Sequence, residues 1–410
     1  MFQDFSVFTI AVVFVAINGL TMLAWAAAQG YKMKPTAFAF IVGAIGNLLT
    51  GSITPISGQS SILTVSHFMK NVNERIAALL IAVIVMVPLG LFGAITEIAN
   101  FAGVPVVNGM MAGVGLIVAG ISIDMLRQAK RTSAIAFISA LATHVICLQF
   151  PPGHHFVTHR LVYVIAISVT LATLDFVLLQ KDPETGKRGR RVDISKMAKA
   201  EGYKGDMEQN ENPKFWTKEY WEDFKIIKPK FNINAIYFAL AFISLNIGTN
   251  IAFGNITAGM GGATQNMDHL TVINSLADIP SVIFGGAPVG AIISATAAAP
   301  WPVMAGVVMM LLCALLLLLG LMTKAVRYIP VQAIAGFLFI IGFHSTFVPN
   351  LRSSFGIIMS EGAWAAGPNF SGLSISQAST ALAITAITKN PFLGLVAGVA
   401  VYYIAAYVGL

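Results

Sequence analysis

The residues able to do chemistry in this chain are few, and most are uncharged. Two short runs stand out, Ser57-Gly58-Gln59-Ser60 and Ile293-Ser294-Ala295-Thr296. Each follows a stretch rich in Gly and Pro, Gly51-Ser-Ile-Thr-Pro55 and Gly285-Gly-Ala-Pro288. At the start of a broken helix the backbone N–H groups are free and the dipole end is positive. With hydroxyl and amide side chains added, Ser57, Gly58, Gln59, Ser60, Ser294, Ala295 and Thr296 suit a planar heterocycle with ring acceptors, or an anion. The competing reading is that these Ser and Thr residues only cap their helices. Asn246, Thr249 and Asn250 form a third group. Their i, i+3, i+4 spacing puts them on one helical face. Buried amides in lipid must find partners, so this face either reads a substrate edge or joins helices. Asn18 carries the same two readings.

Ionisable residues inside apolar sequence are functional candidates by default. Asp175, His344 and Asp278 are the candidates for ion coupling, with a structural role competing for each. Glu97 and Asp124 lie near span ends, where solvation is cheap. His155 and His159 stand four apart, a spacing that binds zinc on a helix. They follow Pro151-Pro152-Gly153 and have no carboxylate or cysteine near them in sequence, so they read as a loop. No metal and no cofactor are expected. Cys147 and Cys313 sit in apolar stretches and indicate no disulfide framework. No nucleophile–base motif, His-Glu-x-x-His or phosphate loop is present, which argues against an enzyme.

The elements that must position these residues follow from composition. The 410 residues are 56% hydrophobic and only 10% charged. A soluble globular chain carries about 25% charged residues, so lipid must be the main solvent here. The net charge of +7 fits loop charge on a membrane protein better than nucleic-acid binding. The apolar run after residue 6 lacks a basic leader and a small-residue cleavage site and reads as a retained span. A spanning helix needs about 20 apolar residues. Such runs fall at 6–29, 35–50, 58–69, 75–99, 104–124, 132–149 and 160–180, then at 232–254, 268–284, 290–299, 301–323, 329–348, 372–388 and 390–409.

The fold expected is therefore all-α and polytopic, with about 14 segments as two inverted seven-span repeats. Residues 1–180 form the first repeat, 181–231 a hydrophilic linker, and 232–410 the second repeat. The third and tenth segments are too short to cross alone and read as half-helices preceded by extended strands. They lie about 230 residues apart. Short, Gly/Pro-interrupted segments at matching places in two halves are the best sequence pointer to a transporter site. A second echo has a similar offset, Val104-Pro-Val-Val before Met111-Ala-Gly-Val-Gly and Ile329-Pro-Val-Gln before Ile334-Ala-Gly-Phe-Leu. The linker holds about half of the chain's charges. Its aromatic end, 215–224, reads as an interfacial helix.

Basic clusters follow alternate spans: Lys32/Lys34, Lys70/Arg75, Arg127/Lys130/Arg131, the linker, Lys324/Arg327 and Lys389. The other loops are almost bare apart from Arg160 and Arg352. The positive-inside rule then puts the linker in the cytoplasm and both termini outside.

At the short segments the residues resemble a known family. Leu245-Asn-Ile-Gly-Thr-Asn through Gly254-Asn-Ile, Asn274-Ser-Leu-Ala-Asp278 and Phe284-Gly-Gly-Ala-Pro288 resemble the nucleobase–cation symporter-2 family of xanthine and uracil permeases. Val104-Pro with Ala112-Gly-Val-Gly-Leu looks like that family's fifth span, and Thr54-Pro-Ile-Ser-Gly-Gln-Ser-Ser61 like its third. The resemblance implies seven-plus-seven inverted repeats, with a core domain that holds substrate and a gate domain against which it slides. It also implies homodimers, proton-coupled nucleobase transport and cytoplasmic termini, the last opposed to the charge pattern. Two departures matter. Members usually carry a carboxylate three residues before the glycine matched by Gly248, where this chain has Leu245. They also usually carry a Glu at the start of the tenth half-helix, where this chain has about Ser294. Both losses count against proton coupling.

Two functions follow. The main expectation is a secondary active transporter of a nucleobase, with a purine such as xanthine, guanine or hypoxanthine favoured. It would work by alternating access coupled to a proton or sodium ion. The alternative is a carrier or facilitator of another small solute or organic anion, which the missing carboxylates would otherwise repel. A channel is a further alternative, because paired broken helices occur there too. The partners expected are a small-molecule substrate, the bilayer and a second copy of the chain, with no nucleic acid. The location expected is multi-pass in a bacterial inner membrane.

Overall fold

The structure is a computed structural model that describes residues 2–58, 71–181, 186, 188–192, 217–360 and 368–408. Eight helices among the described residues are long and apolar enough to cross a membrane. The first repeat supplies α1 (Phe2–Ala28), α2 (Met33–Thr50), α3 (Val72–Leu91), the short α4 (Ala94–Ala102), α5 (Val104–Gln128), α6 (Lys130–Leu148) and α7 (Arg160–Leu174). Helix α7 continues as a π turn, Asp175–Leu179. The second repeat supplies α8 (Ile233–Met260), α9 (Met267–Val282), α10 (Pro302–Leu318), the composite α11, α12 (Pro368–Thr388) and α13 (Pro391–Val408). Helix α11 runs from a 3-10 turn, Val331–Ile334, through Ala335–Phe339 and a π segment, Ile340–Phe347, into Val348–Ser360. Large apolar side chains such as Leu49, Ile84, Leu91 and Ile138 are exposed on the helix flanks. Such a surface is stable against lipid and not against water. The chain is a multi-pass integral membrane protein with the expected fold of two inverted seven-segment repeats.

The stretch 75–99, read as one span, is two helices. Helix α3 ends at Leu91, and Gly93 takes a left-handed conformation (φ 76°) that only glycine adopts without strain. The carboxylate of Asp268, on α9, then caps α4 by accepting from the N–H groups of Ile95 (2.9 Å) and Thr96 (3.3 Å). The π segment of α11 has a similar local cause. Pro349 has no N–H to give and its ring crowds the carbonyl four residues back, so the helix widens just before it.

The helices sort into two packed groups. Helices α1, α2, α3, α8, α9 and α10 pack mainly on one another, with α2 lying against both α9 and α10. Helices α5, α6, α7, α11, α12 and α13 form the second group, with α5 lying against both α11 and α12. The groups meet where α1 touches α7 and where α8 touches α13.

The short segments sit inside the first group. Strand β1 (Ile56–Gly58) pairs antiparallel with β2 (Val289–Ala291), Ile56 opposite Ala291 and Gly58 opposite Val289. Strands from matching places in the two repeats run in opposite directions, as inversion requires. Within the linker, Lys218–Glu222 is a short helix docked on this group. Tyr220 donates to the Leu318 carbonyl (3.0 Å), Lys34 pairs with Asp223 (2.8 Å) and lies over the Tyr220 ring, and Lys230 donates to the Asn73 carbonyl (3.0 Å). Arg75, fully buried, donates to the Gln29 carbonyl (3.0 Å) and stacks on the Tyr31 ring. Beyond it, Arg191 covers the Tyr328 ring and Val192 donates to the Arg327 carbonyl. Lys32, Lys34, Arg75 and Arg327 thus share one face with the described linker residues.

Candidate functional site

The polypeptide reaching β1 is fixed by polar contacts. Asn47 Nδ2 donates to the Thr54 carbonyl (2.8 Å), and the Ser52 and Thr54 hydroxyls donate to Gln265 Oε1 (3.1 and 3.3 Å). Strand β2 is fixed at both ends. Val289 N–H donates to Asp278 Oδ1 (2.8 Å), Ala287 N–H to the Thr36 hydroxyl (2.8 Å), and the Thr257 hydroxyl to the Ile292 carbonyl (3.1 Å). After β2 the chain runs extended to Ser294 and makes one 3-10 turn, Ala295–Ala298. Trp301 then holds a left-handed conformation (φ 51°) before Pro302 opens α10. Backbone strain of this kind costs about 1–3 kcal/mol and persists only where neighbours over-determine it.

The sequence candidates divide on this frame. Ser57 and Gly58 are buried in β1, and the Ser57 hydroxyl has no hydrogen-bond partner among the described residues. Helix α1 passes so close that a methyl at Gly19 would lie 2.6 Å from Ser57 Oγ. Gln59 and Ser60 lie outside the described residues, as does the rest of the stretch to residue 69 expected to form the first half-helix. Ser294, Ala295 and Thr296 are fully buried. The Ser294 hydroxyl caps the turn, accepting from Thr296 N–H (3.2 Å) and meeting the Thr296 hydroxyl at 2.7 Å. The capping reading of this serine therefore stands, and its hydroxyl is also a polar group at the strand end. The pairing of β1 with β2 brings Ser57 and the approach to Ser294 into one unit.

The Asn246 face divides. Asn246 is half-buried. Thr249 donates back to the Leu245 carbonyl (2.8 Å). Asn250 joins helices: its Nδ2 donates to Thr271 Oγ1 (3.0 Å) and its Oδ1 accepts from Asn274 (2.7 Å), both on α9.

The coupling candidates are structurally engaged. Asp175 takes a forked contact from Arg131, with Nη2 at 2.6 Å and Nε at 3.1 Å, and a further bond from Gln180 (2.7 Å). Asp278 holds β2. His344 packs edge-on against His144, with ring centroids 4.2 Å apart.

The structure adds one constellation that the sequence hid. His155 and His159 are not in a plain loop. His155–Thr158 is a helical turn, His159 N–H closes on the His155 carbonyl (3.1 Å), and Asp4 of α1 lies beside both rings. No sequence signal ties residue 4 to residues 155 and 159. Outside the spans, burial pushes the His155 imidazole below its usual pKa, helped by His159. Burial likewise draws the Lys32 ammonium down, opposed by the Asp223 carboxylate.

No protein-family model matches the sequence, and no curated protein matches it. Solved structures do match. The transmembrane domain of the cyanobacterial bicarbonate transporter BicA is similar over 97% of this chain and 98% of its own, at 14% identity and a TM-score of 0.50. SLC26A9 is similar over 98% of this chain at 12% identity and a TM-score of 0.52, and this chain spans 64% of that one. The chain has the fold of these membrane transporters. They belong to a different family from the nucleobase permeases, and the sequence resemblance to nucleobase–cation symporter-2 is corrected accordingly. The physical reason is that the two families share the seven-plus-seven scaffold, and several of the residues that carried the resemblance pack or tie that scaffold. A methyl at Gly115 would meet the Gly342 carbonyl at 2.6 Å, one at Gly113 the Leu382 carbonyl at 2.7 Å, and one at Gly248 the Phe392 backbone. Asn274 and Asp278 tie α9 to α8 and to β2. Such residues specify close packing and not a substrate.

Proposed function

We propose that this chain is a carrier of a small anion, of the size of bicarbonate or a small organic acid, working by alternating access. The observation that carries the proposal is the β1–β2 unit. It joins strand ends of both repeats, presents the Ser57, Ser294 and Thr296 hydroxyls with strand-end backbone, and has no charged side chain in 52–58 or 289–299. Hydroxyl and N–H donors at a strand-to-helix turn stabilise an anion, and an acid there would repel it. The acid that touches the unit, Asp278, has one oxygen occupied by Val289 N–H. The likeness to a bicarbonate transporter over 97% of the chain supports the same reading. In this scheme the group holding the two strands is the core domain and slides against the α5–α7 and α11–α13 group, the gate. The carboxylates of Asp175 and Asp278 are engaged by Arg131, Gln180 and Val289 N–H, which favours exchange or facilitated transport over proton symport.

The test is uptake into proteoliposomes of labelled bicarbonate, sulfate and oxalate, with and without the same anion inside, and with xanthine and uracil in parallel arms. Saturable anion uptake stimulated by internal anion is expected. Ser57→Ala should lower it by about tenfold or more, the worth of one hydrogen bond to a charged ligand. Uptake of a nucleobase with none of any anion would overturn the proposal. Anion flux that neither saturates nor responds to internal anion would indicate a channel.

A further inference from the structure

The histidine pair at the α6–α7 connection gains a third partner only through folding. One ligand atom each from Asp4, His155 and His159 lie within 4.8 Å of one another. Two imidazoles and a carboxylate are the donor set of many divalent-metal sites. The geometry points to a binding site for a late first-row divalent cation of the zinc class at the face opposite the linker, and we propose that Asp4, His155 and His159 are its protein ligands.

Four features go beyond the cluster itself. The His159 ring is held by its Nδ1, 2.6 Å from the Ala298 carbonyl. A carbonyl only accepts, so Nδ1 carries the proton and Nε2 keeps its lone pair for a metal. The His155 ring is held by its Nδ1, 3.0 Å from the Tyr163 hydroxyl, while its Nε2 is buried without a hydrogen-bond partner among the described residues. A metal on that nitrogen selects the tautomer in which Nδ1–H donates to Tyr163. Metal-ligating histidines almost always use the second nitrogen in this way, on a carbonyl or other oxygen. The helical turn closed by His159 N–H on the His155 carbonyl sets the two rings on one side, with centroids 4.8 Å apart. Asp4 has other polar contacts, and a carboxylate with two oxygens can keep one while offering the other. Four tetrahedral ligands at about 2.1 Å from zinc stand about 3.4 Å apart, so the three groups, already within 4.8 Å of one another, have little distance to close and leave a fourth position for water. The site would tie α1 to the start of α7, where the two helix groups meet, with the turn after β2 held through Ala298.

Zinc binding is measured by equilibrium dialysis on the full chain in nanodiscs, purified through a C-terminal tag free of histidine. One Zn2+ per chain is expected, with a melting temperature that rises on loading and returns on chelation, and no competition from Mg2+. Asp4→Asn and His155→Ala should each weaken binding by at least about tenfold, and Tyr163→Phe by about 10–100-fold through the ring it holds. His269→Ala, on another part of the surface, should bind as the parent does. Asp4→Asn decides the case by itself where the histidine variants do not fold, since it removes a ligand and leaves its neighbours in place. No stoichiometric zinc, or zinc held equally by the parent and Asp4→Asn, would overturn the site.

Discussion

At the scale of single residues, several polar groups that the sequence offers as candidates are spent on one another. Asp175 is the clearest case, because the Arg131 guanidinium and the Gln180 amide take up its carboxylate. Its side chain is 7% exposed and that of Arg131 is 60% exposed. Arg131→Ala leaves the acid with one neutral donor and should cost about 1–3 kcal/mol of stability, read as a lower melting temperature. Arg131→Lys keeps the charge but loses the fork and should fall between. A structural Asp175 further requires that Asp175→Asn change melting more than the pH profile of uptake. A lost pH dependence with unchanged melting would return it to the coupling candidates. Asn250 is similar: the amide that the sequence offers to a substrate is used between α8 and α9.

At the scale of elements, turns and breaks carry the site. The strands β1 and β2 are three residues each, too short to persist alone, and they hold because side chains from α2, α8 and α9 take up the backbone groups around them, while Gln265 accepts from the Ser52 and Thr54 hydroxyls. Helix α4 depends on a cap from another helix. Asp268→Ala removes the acceptor for Ile95 and Thr96 and should cost about 0.5–2 kcal/mol, with hydrogen exchange rising first in Ala94–Ala102. Global loss of protection with no local step would refute a role confined to the cap. The sequence shows the Gly93 break only as a glycine among many, because the capping carboxylate stands far along the chain.

At the scale of the whole molecule, the charge pattern becomes a face. Lys32, Lys34, Arg75, Arg191 and Arg327 lie with the docked linker, and Asp4, His155 and His159 lie at the other end of the same helices. The positive-inside rule then predicts a cytoplasmic linker and external termini. A single cysteine at Ser195 should resist a membrane-impermeant maleimide in intact cells and react after lysis. Labelling in intact cells would invert the protein, and the zinc site would then face the cytoplasm.

Hydropathy and the recurrence of Gly/Pro-broken segments determined by themselves the membrane setting and the inverted repeat. These are properties of local composition and spacing, which a bilayer of fixed thickness reads directly. The place of the paired segments was legible in the same way, from Pro55 and Pro288 ahead of Ser57 and Ser294. What the polar residues do was not. Asn250, Asp175 and Asp278 find partners 11 to 44 residues away, and Asp4 meets His155 from the other end of the first repeat. A polar side chain in sequence looks the same whether it faces a substrate or a neighbouring helix. Only the packing that desolvates it decides which.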